Sequence, residues 1–219
     1  MTSLIPNRFL FDFEFPFRHR SDPPPVNGKL GGWNDAELLP TLGELDDRDD
    51  FADVWACWNE RGLHFAFRVT GKTKPLSCNP VGSRKGDGVR ICTDMRDARS
   101  LKRATRTCQQ FYLLPTGAGP DKDQPVAGIS RINRARDNAP QVETRRIKVA
   151  SSISKTGYTL EAHIPADCLS GFDPAEHPRI GFYYIIEDRD HGRQYLTVGD
   201  DLFANVDPST WATVVLQRD

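Results

Sequence analysis

Three kinds of side chain in this sequence have types and spacings that could do chemistry. Aromatics in loop-like settings are the first. Trp33 stands between Gly32 and Asn34, a context that offers a flat apolar ring with a polar N–H at its rim for stacking on a ring-shaped ligand. The competing use of the same ring is to cap the core. Trp55 and Trp58 are three apart in a strand-like run, so they face opposite ways and at most one is core. Trp211 opens the last apolar run and packs.

Carboxylates are the second kind. Asp87, Asp94 and Asp97 flank one strand-like run. They can ligate calcium, hydrogen-bond ligand hydroxyls, or cap turns. Asp46, Asp47, Asp49, Asp50 and Asp53 crowd one short segment. Calcium takes about 6–8 oxygens, so Asp46, Asp47 and Asp49, with Asp94, are candidate metal ligands. The segment lacks EF-hand spacing, and a solvated acidic loop has the same composition. Glu187, Asp188 and Asp190 form a further cluster beside His191, Arg193 and Gln194. Acid–base work by two of these carboxylates needs a separation that one sequence does not specify.

Basic side chains are the third kind. The formal net charge is only -1, yet charge is segregated. Residues 34–53 carry eight acids against Arg48, residues 84–106 eight bases against three acids, and residues 131–148 six bases against Asp137 and Glu143. The two basic stretches either converge into an anion-binding face or form a solvated surface paired with acids. Near-neutrality, and the lack of aromatics within 96–106, exclude a dedicated nucleic-acid binder.

The elements that must position these residues are strands. Residues 8–17 alternate, with Phe9, Phe11, Phe13, Phe15 and Phe17 on one face and Arg8, Asp12 and Glu14 on the other, which predicts a half-buried strand. Pro23, Pro24 and Pro25 then force an extended loop. Residues 33–45 read as a short helix or an extended strap. Two β-rich runs, 54–58 and 63–69, joined by a Gly-ending turn predict a hairpin. A long loop covers 71–86. Strands are predicted at 89–93, ending at Asp94, and at 108–114, with a loop over 115–125. A second hairpin spans 142–153 and 157–164, a helical turn 164–169, and strands 180–187 and 211–216. The fold class is all-β, an antiparallel β-sandwich with one domain over 1–219. Five cysteines, an odd number with no CxxC pair, read as free thiols in a reducing compartment. The N-terminus lacks a basic-then-apolar leader, and no apolar run is long enough to span a membrane, so the expected location is cytoplasmic. No GxSxG, HExxH, GxxxxGK[ST] or GxGxxG motif occurs.

Four segments in order carry a family resemblance. They are Gly86-Asp-Gly-Val-Arg-Ile-Cys-Thr-Asp94, Gly157-Tyr-Thr-Leu-Glu-Ala-His-Ile-Pro165, Arg179-Ile-Gly-Phe-Tyr-Tyr184 and Pro208-Ser-Thr-Trp-Ala-Thr-Val-Val-Leu216. Over about residues 29–216 the chain resembles the family 9 carbohydrate-binding modules, part of the DOMON-like β-sandwich group. The resemblance implies a sandwich that binds a saccharide, in some members with structural calcium, and no other cofactor. Two positions depart from the pattern. The loop 81–86, where many members place a Trp, contains Arg84 and Lys85 and no aromatic. The family Glu after Asp-Gly-Val is Arg90 here. The candidate ligand-binding residues are therefore Trp33, Arg84, Asp87, Arg90, Glu161 and Arg193. The leading expectation is a non-catalytic saccharide-binding protein. The alternative is an interaction module that kept the fold, lost the sugar clamp and docks a protein partner through the Phe-rich strand or the basic insert. A glycoside-processing enzyme is the third reading.

Overall fold

A computed structural model describes residues 7–81, 86–199 and 202–218. Eleven strands form one sheet: β1 Glu14–His19, β2 Ala52–Asn59, β3 Gly62–Val69, β4 Gly88–Asp94, β5 Cys108–Ala118, β6 Gln124–Ser130, β7 Lys148–Ser154, β8 Gly157–Pro165, β9 Arg179–Asp188, β10 Gly192–Tyr195 and β11 Ala212–Gln217. The helices among the described residues are short 3-10 turns, and none is long and apolar enough to cross a membrane. The strand order is β6-β5-β4-β9-β11-β1-β2-β3-β8-β7, with β10 added on β9. β1 runs parallel to both β11 and β2; the other pairs are antiparallel.

This path doubles back, so its two arms face each other as layers. Phe65 of β3 stacks on Phe182 of β9 at 5.6 Å, and Phe17 of β1 meets both rings edge-on at 6.0 and 5.0 Å. Rings from both arms thus share one core, the sandwich arrangement predicted by alternation. The parallel seam at β1 makes the two layers one continuous sheet. Val54, Ala56 and Trp58 of β2 point into this core, as do Leu63, Phe65, Phe67 and Val69 of β3.

The N-terminal strand is shorter than its pattern. Residues 7–10 form a 3-10 turn and β1 begins at Glu14, because β11, its pairing partner, begins only at Ala212 and the register opens with Glu14 beside Thr213. Alternation cannot make a strand where no neighbour supplies hydrogen bonds. Phe15 and Phe17 are buried while Phe11 is 57% exposed. The five-Phe face expected over 8–17 is therefore split: Phe15 and Phe17 belong to the core, and Phe11 lies at the surface. Arg8, expected on the polar face, is buried; its Nε lies 2.5 Å from Asp46 and its Nη1 donates to the Tyr195 carbonyl at 3.0 Å. Pro16 is tolerated because the β1–β2 pairing starts only at Arg18.

Two further boundaries move. The segment 115–125 is largely strand, since β5 continues past an irregularity after Leu114 and pairs Ala118 with Gln124 of β6. β6 contains Pro125 and Gly128 and lies at the sheet edge, where such residues are permitted and alternation is weak. β7 starts at Lys148, after a 3-10 turn at Thr144–Arg146. Residues 33–45 form a strap that holds one 3-10 turn, Asp35–Glu37, and the start of a second, Gly43–Asp46, with no α-helix. Asn34 and Glu37 close a capping box, Leu38 bridges to Trp55, and Leu39 N–H donates to the Val54 carbonyl at 2.8 Å. Trp55 is thereby buried on the outer face of β2 while Trp58 fills the core. All five cysteines are free thiols, four of them buried. Burial pushes Cys57 and Cys108 up to about 12, so they behave as small apolar side chains.

Candidate functional site

The sequence candidates fall into separate neighbourhoods. Trp33 and Glu161 meet on the outer face of β8. Glu161 is 1% exposed, and its carboxylate is fully engaged. Oε2 accepts from the Asn27 and Gly28 N–H groups at 2.9 and 2.5 Å, and Oε1 from Leu30 N–H and Trp33 Nε1, both at 3.1 Å. A buried carboxylate needs such donors. Glu161 thus pins the loop 27–33 to the sheet. Gly28 lies so close to β7 that a Cβ would fall 2.6 Å from the Ser151 backbone, and its φ is +79, so only glycine fits this crossing. Trp33 is half-buried with its polar handle spent on Glu161.

Asp87 belongs to a second neighbourhood, at the end of β4. Its Oδ1 lies 3.0 Å from Lys72 Nζ and accepts from Arg189 N–H at 2.9 Å; Oδ2 accepts from Ser77 N–H at 2.6 Å. The same Lys72 ammonium lies 2.6 Å from Asp188. All three side chains are buried. For Asp188, burial favours the neutral acid, but Lys72 and the N–H groups of Asp190 and His191 outweigh it and hold the carboxyl below its usual range. Burial likewise opposes the Lys72 charge, and its bonds to Asp188 and Asp87 carry its pKa above the ordinary value. The Tyr158 hydroxyl sits beside these groups without a hydrogen-bond partner; burial, then Asp188 and Asp87, push its pKa well up. The knot ties the loop after β3 to the ends of β4 and β9.

Arg90 and Arg193 do come together. Glu187 Oε1 lies 2.8 Å from Arg90 Nη2 and 3.0 Å from Arg193 Nη2. Glu187 and Asp188 are adjacent on β9, so they point to opposite faces, and each is held by cations. They do not form a facing carboxylate pair. Arg84 lies outside the described residues.

The calcium set is not assembled. Asp46 pairs with Arg8, while Asp47 and Asp49 are exposed. Asp94 is consumed elsewhere: it accepts from Thr107 Oγ1 and Ala98 N–H at 2.8 Å each, and from Arg96 N–H at 3.2 Å, as a turn cap. No three His, Cys, Asp or Glu among the described residues are placed to hold a metal ion.

The structure adds a site that sequence reasoning misses. A depression of about 630 Å³ lies between the loop before β11 and the two basic stretches, with Phe203, Asn205, Asn133, Lys102, Arg103 and Arg134 on its walls. Phe203 is 69% exposed. Its neighbour Ala204 is buried, and the Phe203 backbone takes the left-handed φ of 54. The basic stretches converge here in part. Arg136 N–H donates to the Ala104 carbonyl at 2.7 Å, and Arg103 Nε to the Arg134 carbonyl at 2.8 Å. Arg145, Arg146 and Lys148 instead border a shallow depression of about 580 Å³ around Pro165, whose walls include His163 but no Phe, Tyr or Trp.

Comparison with known proteins places this geometry in a family. The family model described as "Carbohydrate family 9 binding domain-like" matches residues 32–219. No curated protein matches the chain. Among solved structures, a carbohydrate binding module family 9 from Caldicellulosiruptor kristjanssonii in complex with cellotriose is similar, with TM-score 0.64 and 14% identity, covering 94% of this chain and 95% of that one. The same organism's module in complex with glucose gives TM-score 0.63 and 13% identity, covering 94% and 96%. At these identities the likeness is one of fold, and the family model extends over most of the sequence: the chain belongs to the carbohydrate family 9 binding domain-like family.

Proposed function

We propose that this protein is a non-catalytic saccharide-binding domain whose contacts centre on Phe203. The observation that carries this reading is the exposed Phe203 ring in a depression that also presents the Asn133 and Asn205 residues and basic side chains. A sugar ring has flat C–H faces that stack on an aromatic and hydroxyls that bond amides and guanidinium groups at its edge. Family membership and the saccharide complexes of two structural neighbours support it. The separated, cation-bound Glu187 and Asp188 favour binding over glycoside hydrolysis. Titration calorimetry of the full chain against a panel of oligosaccharides is the test. Millimolar or tighter binding that is lost in Phe203→Ala supports the proposal. No saccharide binding, or binding indifferent to Phe203→Ala, overturns it.

A further inference from the structure

We infer that the Phe203 depression selects anionic saccharides, sugar rings that carry a carboxylate or a sulfate. This rests on the reading of Phe203 as the stacking platform. Three cations, Lys102, Arg103 and Arg134, line the depression against one acid, Asp207. Asp207 is already occupied, because its Oδ1 accepts from Ser209 N–H at 3.0 Å and Ser209 Oγ at 2.6 Å. Among the described residues no carboxylate lies within ion-pair distance of the three cations. Arg90 and Arg193, by contrast, share Glu187. Counted over its described lining residues, the depression is therefore positive, in a chain whose formal charge is -1.

The cations are also positioned. Arg103 spends Nε on the Arg134 carbonyl and Nη2 on the Ala135 carbonyl, at 2.8 and 3.4 Å. That fixes the guanidinium plane, and none of the described residues receives a hydrogen bond from its Nη1. Arg134 and Phe203 both hold left-handed backbone, φ 60 and 54, although both have bulky side chains. Such conformations are disfavoured for bulky side chains and persist where the surroundings enforce them. Here they project a cation and a ring into one depression. A neutral saccharide engages the ring, and its hydroxyls form only neutral-acceptor hydrogen bonds with the amides and guanidinium groups. A carboxylate or sulfate on that saccharide adds charge-assisted hydrogen bonds to a guanidinium, whose planar fork matches it.

The test is calorimetry on the full chain with four probes: cellotriose, trigalacturonate, a sulfated disaccharide and inorganic phosphate, each at low and high salt. The expected result is that an acidic saccharide binds at least about tenfold more tightly than cellotriose, and that this ratio shrinks at high salt and in Arg134→Gln combined with Lys102→Gln. Both substitutions are at exposed positions. Whether trigalacturonate or the sulfated sugar wins identifies the anionic group. Equal binding of cellotriose and both acidic saccharides overturns the inference and leaves the proposed function standing. Phosphate binding as tightly as the acidic saccharides, with no effect of Phe203→Ala, also overturns it, since the site is then an ion site without a sugar. No binding of any saccharide removes the proposed function and the inference together.

Discussion

The outer face of β8 and the Phe203 depression both pair an aromatic ring with charged side chains, but they use them in opposite ways. At β8, the Glu161 carboxylate is buried and accepts four hydrogen bonds, one from Trp33. Nothing polar is left over for a ligand. At the depression, Phe203 is exposed and its neighbouring cations have no acid partners among the described residues. The difference teaches that a candidate side chain is read by what remains unsatisfied. Residue type alone favours Trp33, while the remaining hydrogen-bonding capacity favours the Phe203 wall.

This contrast can be broken by mutation, and the largest effect is expected on the buried, satisfied side. Lys72→Met should destabilise the fold by about 3–5 kcal/mol, because Asp87 and Asp188 would stay buried without their cation. Urea denaturation checks this. Glu161→Ala should cost about 3 kcal/mol by leaving its backbone donors without an acceptor. The same variant should bind saccharide as the parent does once folded, and a loss of affinity in the folded fraction would instead place Trp33 and Glu161 in the site.

A pH effect of intermediate size comes from the same layer of strands. His64 stacks on His163 at 4.3 Å, and both its ring nitrogens are buried without partners. Burial, then the His163 charge, lower its pKa from 6.5 to about 3; burial lowers His163 as well. The unfolded chain therefore binds more protons between those values. Stability is fully present above about pH 6.5 and falls as the pH drops toward 3, by up to about 1.4 kcal/mol per pH unit from His64. Urea midpoints between pH 7 and 4 should show this slope, and His64→Phe should flatten it. That window lies above the acid range where Asp188 adds its own loss. The smallest stability change belongs to Phe203→Ala, within about 0.5 kcal/mol as for other exposed positions, although it should abolish saccharide binding. A large drop in melting temperature for that variant would mean that Phe203 is a packing residue, and the contrast between the two regions would collapse.

The strands that read as apolar, aromatic and β-branched runs between turn residues were legible, because that enrichment reports a buried strand even where both faces are covered. β3, β4, β8 and β9 occur close to where Leu63–Val69, Val89–Thr93, Gly157–Ile164 and Ile180–Glu187 place them. β6 and β10 were not legible. β6 is half-exposed at an edge with Pro125 and Gly128, and β10 has only four residues. Of the candidate ligand residues, Arg90 and Arg193 are brought together on Glu187, and Asp87 and Glu161 are drawn into separate buried networks.

By itself, the sequence determined the class of fold, the hairpins and the family resemblance, since those follow from local alternation, turn residues and ordered motifs. Tertiary structure alone decided which charges are spent and which are free. Arg8 finds Asp46, Lys72 joins Asp87 to Asp188, and Glu161 captures the loop 27–33, in each case across a sequence separation that no local pattern encodes. It also decided that Phe203 faces outward beside Lys102, Arg103 and Arg134. The physical reason is that burial and hydrogen-bond satisfaction are properties of the packed chain, set by which segments the sheet brings into contact.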